Sequence, residues 1–209
     1  MNPLAAFLKT SWARYVRWGE RQRWERRWRT PDYRPLWLAD IPRPFVLSGF
    51  EQGWLVPPMR VLEIGCGLGT AAGWLAQRGL RVVAVDFSER VIEQARTAFI
   101  NQPGLEFRCA DVSAPTDILT TFDVILDTGC LQHIPGCLRD GYRQNLLMWS
   151  RAGSRFVVTM HKRDYSASER LDEVQGLFSA EFDLVHTEEV RPANASVKHF
   201  NSVFHFVRR

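Results

Sequence analysis

Along residues 60–178, short apolar runs alternate with stretches in which apolar residues recur every three or four positions, the pattern of strands alternating with amphipathic helices. Val61-Leu62-Glu63-Ile64, Arg81–Asp86, Leu105–Cys109, Phe122–Leu126 and Arg155–Met160 read as short strands, most of them apolar enough to be covered on both faces. Thr70–Arg78 (closed by Gly79), Ser88–Phe99, Leu138–Ser150 and Ser168–Phe178 read as helices. Ser88 brings the hydroxyl that caps a helix N-terminus, and Glu89 complements the dipole of the first turn. Phe182–Val190 and His199–Val207 are strand-like runs with no helix between them, only Arg191–Lys198. Alternation that ends on such a pair predicts an α/β, Rossmann-like, doubly wound sheet of seven strands, mostly parallel, with one antiparallel strand near the C-terminus.

The first 45 residues break this rhythm. Leu4, Leu8, Trp12, Tyr15 and Val16 fall on one helical face, and past Gly19 that stripe fails, with Trp24 and Trp28 on the other side. Prolines at 31, 35, 42 and 44 stop helix propagation, so 30–45 reads as a connector and 45–53 as a short helix. We therefore expect a helical cap and connector over residues 1–45 and one main domain over 46–209.

Charge sharpens the division. The chain of 209 residues carries +4 overall, but residues 1–30 hold eight Lys/Arg against two Glu, a net +6, which leaves −2 for the rest. Half of the eight tryptophans lie in the same leader. Three readings stay open: a helix that lids a pocket, with Trp24 and Trp28 under arginines; an interfacial helix drawn weakly to an anionic membrane surface or to nucleic acid; and a solvated helix docked by its short stripe.

Composition narrows the class. Hydrophobic residues make up 45% and charged residues 24%, as in a globular domain. No apolar run approaches the roughly 20 residues that span a bilayer, and Pro3–Leu8 is too short for a signal-peptide core. Cys66, Cys109, Cys130 and Cys137 lack metal-ligand spacing, which argues for a reducing cytoplasm and against zinc or a disulfide framework.

The chemistry concentrates after the first strand, in Glu63-Ile64-Gly65-Cys66-Gly67-Leu68-Gly69. Glycines there let the backbone turn sharply and approach a ligand at the carboxyl edge of the sheet. Asp86, at the end of the next strand, can accept two hydrogen bonds from a ribose. A dinucleotide fingerprint would place its third glycine where Thr70 stands. An acid at Glu63 would also repel a pyrophosphate, whereas it suits a ligand bearing an ammonium and a sulfonium.

These residues resemble the class I S-adenosylmethionine-dependent methyltransferases. Val61–Thr70 is similar to that family's first motif, Val82–Ser88 to the second, Phe107–Val112 to the third and Phe122–Asp127 to the fourth. The resemblance implies S-adenosyl-L-methionine as cofactor and S-adenosyl-L-homocysteine as product. It implies that Glu63, Gly65, Cys66 and Gly67 line the methionine part, Asp86 binds the ribose with Phe87 beside the adenine, and Asp111 and Val112 meet the base. The turn that opens at Asp127 would close the methionine end. A narrower resemblance, carried by Trp37, Asp40-Ile41, Arg43-Pro44 and Gly129-Cys130-Leu131-Gln132-His133, points to the thiopurine S-methyltransferase-like branch, and implies that Trp37 touches the cofactor. Here Leu38-Ala39 interrupts the upstream motif and its glycine is missing.

Direct methyl transfer needs alignment and exclusion of water more than it needs a catalytic base. Where the acceptor is a phenol, His133 and His161, at the ends of the fourth and fifth strands, are the candidate bases; Tyr15, Arg163 and Tyr165 are the candidate substrate contacts. Asp127-Thr128-Gly129-Cys130 stands where nucleic-acid amino-methyltransferases resemble one another in N/D-P-P-Y/W, and the body is acidic, which argues against a nucleic-acid acceptor. The expected function is direct methyl transfer to a thiol, phenol or amine of a small metabolite, with a catalytically silent cofactor-binding subunit as the alternative.

Overall fold

The computed structural model describes residues 3–30, 33, 43–161, 166–190 and 201–209. Helix α1 (Pro3–Arg29) precedes the short α2 (Pro44–Glu51), whose proline at the first turn needs no amide partner. There follow β1 (Arg60–Ile64), α3 (Thr70–Gln77), β2 (Arg81–Asp86), α4 (Glu89–Ala98), β3 (Leu105–Cys109), β4 (Val124–Asp127), α5 (Arg139–Trp149), β5 (Arg155–Met160), α6 (Ala167–Phe178), β6 (Phe182–Val190) and β7 (Asn201–Arg208). The seven strands lie in the order β3-β2-β1-β4-β5-β7-β6. All pairings through β5 are parallel, and β7 runs antiparallel to both of its neighbours.

The alternation of side chains along the strands sorts the core into two layers. Leu62, Ile64, Ile125, Phe156 and Val158 face Tyr142, Leu146 and Trp149 of α5 and Val174 and Phe178 of α6. Val61, Val82, Ala84, Val124, Leu126 and Val157 face α3, α4 and α2, through Leu75, Ile92, Ala95, Phe45 and Val46. Trp149 is fully buried, and its indole N–H donates to the Ile118 carbonyl at 3.1 Å, so its one polar atom is satisfied. Truncating it to alanine would cost about 3–5 kcal/mol.

Local signals set the helix ends. The Ser88 hydroxyl accepts from the Val91 amide at 3.4 Å. Helix α6 begins one residue ahead of the expected Ser168, because Ser166 and Glu169 form a reciprocal capping box. Helix α1 is continuous through Gly19, but its inward face differs from the expected stripe. Ala13 and Val16 pack on the core, while Trp12 and Tyr15 point outward. Among the described residues no helix is long and apolar enough to cross a membrane.

Candidate active site

The sheet reverses its direction of winding between β1 and β4, which lie side by side with Ile64 opposite Asp127. Crossovers leave this point in opposite directions, so a crevice opens beyond the strands' carboxyl ends. It holds a cavity of about 210 Å³ with an acidic floor and an aromatic roof.

The floor is built by the glycine turn. Gly65, Gly67 and Gly69 all have positive φ, the region in which an L side chain is strained. Space forbids one as well: a Cβ on Gly65 would stand 2.7 Å from Cys130 Cβ, and one on Gly69 would overlap the Phe107 ring. Asp86 is tied into this turn, its carboxylate accepting from the Gly67 amide at 3.1 Å and the Ser88 amide at 3.0 Å. Glu63 is buried, accepts a backbone hydrogen bond from Ala72, and keeps its Oε2 without a partner. Burial pushes the Glu63 carboxyl up to about 8, with the charge of Asp86 adding to the rise. Burial likewise raises Asp86 to about 6, against the pull of its backbone donors. Two carboxyls kept out of water beside a cavity are costly when ionised, and a ligand carrying positive charge and N–H or O–H donors relieves both. The residues present therefore fit a cationic nucleoside such as S-adenosylmethionine.

Phe87, Asp111 and Val112 continue the wall. Asp111 Oδ1 accepts from the Ser113 amide and hydroxyl at 2.8 and 2.7 Å. Arg17 reaches down from α1 to the same turn, donating to the Ser113 carbonyl at 2.6 Å and lying 3.9 Å from Asp111.

The roof comes from α1, where Arg17, Glu20, Trp24 and Trp28 face the cavity. The Trp28 ring lies over the glycine turn, 3.7 Å from where a Cβ on Gly67 would be. Trp24 meets His133 edge-on at 5.3 Å between centroids, with the Arg27 guanidinium 4.6 Å from its ring centre. His133 stands at the rim, where desolvation and then the charges of Arg23 and Arg27 push its pKa down to about 4, leaving it neutral near pH 7. His161, at the end of β5, lies 6.3 Å from His133. Gln132 positions it: its Oε1 accepts from the His161 amide at 2.8 Å, and its Nε2 is 3.0 Å from the ring Nδ1.

Glu63, Gly65, Cys66, Gly67, Asp86, Phe87, Asp111, Val112, His133 and His161 are thus gathered around one cavity. Two expectations fail. Asp127 does not face it: the carboxylate is fully buried and accepts from the Gly129, Cys130 and Leu131 amides and the Tyr142 hydroxyl, so it builds the turn after β4. Tyr15 stands on the outer face of α1, between the rings of Trp12 and Trp18. Trp37, Arg163, Tyr165, Arg191 and Lys198 lie outside the described residues. Sequence reasoning missed Arg17 and Glu20, although 17, 20, 24 and 28 share a helical face, a signal that the Leu4–Val16 stripe obscured. No group of three His, Cys, Asp or Glu able to hold a metal occurs among the described residues.

Comparison with known proteins agrees with this geometry. Residues 61–147 match a family described as "Methyltransferase domain". The 2-heptyl-1-hydroxyquinolin-4(1H)-one methyltransferase of Mycobacteroides abscessus is 32% identical over 128 residues, covering 60% of this chain and 55% of that protein. The ubiquinone biosynthesis O-methyltransferase of Coxiella burnetii is 33% identical over 135 residues, covering 64% and 56%. The chain thus spans a little over half the length of these relatives. In fold it is similar to the N-methyltransferase NodS of Bradyrhizobium japonicum, solved with S-adenosyl-L-homocysteine (TM-score 0.66, 19% identity, 90% of this chain and 98% of that one). It is also similar to the magnesium protoporphyrin IX methyltransferase of Synechocystis, solved with bound cofactor (TM-score 0.61, 18% identity, 79% and 76%). Residues 61–147 thus carry the match to a methyltransferase domain, and the fold around them is shared with structures of S-adenosylmethionine-dependent methyltransferases.

Proposed function

We propose that the chain methylates a weakly acidic hydroxyl on a planar aromatic small molecule. The observation that carries this reading is the pairing of the acidic floor with the Trp24 and Trp28 roof and the His133 rim across one cavity. Flat, polarisable walls hold a ring by its faces, and the nearby guanidiniums of Arg17, Arg23 and Arg27 favour an oxygen that gains negative charge as it loses its proton. The names of the two relatives above, a hydroxyquinolinone methyltransferase and an O-methyltransferase, support the same acceptor class.

Glu63, Asp86 and the glycine turn would hold the cofactor, with Phe87, Asp111 and Val112 around its base. S-adenosylmethionine, when bound, supplies a methyl group already activated by a positive sulfur. The chain's part is to align the acceptor oxygen with that carbon and to keep water out. Residues 1–45 serve as the cap that does so over the domain of 46–209. His133, being neutral, accepts a hydrogen bond from the acceptor hydroxyl; its low pKa makes it an orienting acceptor more than a strong base. His161, fixed by Gln132, is the second group able to receive the proton that the hydroxyl loses when the new O–C bond forms and the C–S bond breaks.

Incubation with isotopically labelled cofactor and matched panels of aromatic hydroxyls, thiols and amines, read by mass spectrometry, tests the reading. Label is expected in hydroxylated aromatics. Label confined to thiols or amines, or absent throughout while cofactor binds, overturns it.

A further inference from the structure

The outward face of α1 is explained by neither the core nor the cavity. A helix that docks through Ala13, Val16, Trp24 and Trp28 calls for polar residues on its other side, yet Trp12, Tyr15 and Trp18 stand there 59%, 63% and 59% exposed. Their rings form a row, with successive centroids 5.8 and 6.2 Å apart. At about 100° per residue, Arg14 and Arg21 lie along one edge of this row and Arg26 and Arg29 continue it toward the helix end, all four exposed. Of the two acids of α1, Glu20 lines the cavity and Glu25 is half-buried.

Indole and phenol rings, apolar in body and polar at one edge, favour the lipid headgroup layer over either water or hydrocarbon. Guanidiniums beside them pair with lipid phosphates. A nucleic acid would call for a continuous basic track, whereas here an aromatic row interrupts the basic residues, with arginines along one edge and beyond its end. We propose that the outer face of α1 seats the protein on an anionic membrane surface, Trp12, Tyr15 and Trp18 entering the headgroup layer and the neighbouring arginines meeting lipid phosphates. The charge is complementary and oriented: the leader carries +6 and the rest of the chain −2, so the field turns the helix toward the lipid and the sheet away from it. Since the opposite face of α1 roofs the cavity, the seated protein holds its active site one helix diameter, about 10 Å, from the membrane. The inference holds whatever the acceptor is.

Cosedimentation of the full chain with vesicles of phosphatidylglycerol and phosphatidylcholine in equal parts, against pure phosphatidylcholine, tests it. Binding is expected on the anionic vesicles, at least ~10-fold weaker on the neutral ones and falling as salt rises. The triple variant Trp12→Ala/Tyr15→Ala/Trp18→Ala, altered only at exposed positions, should lose at least ~10-fold in partitioning with unchanged circular dichroism and cofactor affinity. Arg14→Gln/Arg21→Gln should bind with a shallower salt dependence. The proposal fails if the wild-type chain stays in the supernatant at low salt or if the triple variant binds as well as the wild type. It fails equally if sedimentation equilibrium reveals a dimer that the triple variant dissolves, since the patch would then be a self-contact. Vesicle binding is read without turnover, so its failure leaves the methyl-transfer reading intact, and the converse.

Discussion

The floor and the roof of the cavity are made in different ways. The floor consists of strand ends and the turns after them: Glu63 at the end of β1, Asp86 at the end of β2, Gly65 and Gly67 between. Backbone pairing across five parallel strands fixes these positions, and Asp86 is itself a brace, tying the β1 turn to the start of α4. The roof is one helix, held by a few side chains: Ala13 and Val16 on the core, Arg17 on the Ser113 turn, Trp28 over Gly67. On the proposed reading, the cofactor is held by the part that backbone pairing fixes, and the acceptor by the part that side-chain changes can remodel.

This contrast can be tested variant by variant. Asp86→Ala should act on the floor alone, weakening S-adenosylhomocysteine binding by about 100-fold in calorimetry, because it removes a charged acceptor and the two amide bonds that shape the turn. A smaller loss with a raised acceptor KM would erase the distinction. The next effect is one of pH. A carboxyl whose pKa is raised in the unliganded protein must lose its proton to meet a cation, so affinity rises with pH. With Glu63 at about 8, the rise should reach up to about tenfold per pH unit between pH 6 and 8, accompanied by proton release. Glu63→Gln should flatten this slope, and a slope unchanged by that substitution would remove Glu63 from the cation site. Trp24→Ala should act on the roof alone, raising the acceptor KM several-fold while leaving cofactor affinity within about twofold, the scale of one aromatic contact.

The same contrast governs how much could be read in advance. The seven strands, their order of appearance and the Glu63–Asp86 floor were legible because each follows from local signals: apolar runs, glycines at sharp turns and acids at strand ends. Phe182–Val190 and Leu105–Cys109 coincide with β6 and β3 to the residue. The role of Asp127 was harder to see, since an acid at a strand end can serve a ligand or its own turn, and only the donors around it decide. Helix α1 misled for a different reason. It carries large apolar residues on both faces, and of the stripe read from Leu4, Leu8, Trp12, Tyr15 and Val16, Trp12 and Tyr15 turn outward and Val16 inward, while the inward side reads Ala13, Val16, Arg17, Glu20, Trp24 and Trp28. Periodicity measures that a helix has sides; it does not say which one the sheet will take.

The contact between Gly65 and Cys130 has a consequence of its own. One belongs to the turn after β1 and the other to the turn after β4, and a Cβ on the first would overlap the second at 2.7 Å. The two loops therefore share a single partition, and their sizes are set jointly. A homologue that enlarged residue 130 would have to recover the volume from the facing turn, where glycine has none left to yield, so the pair is expected to drift in concert or not at all.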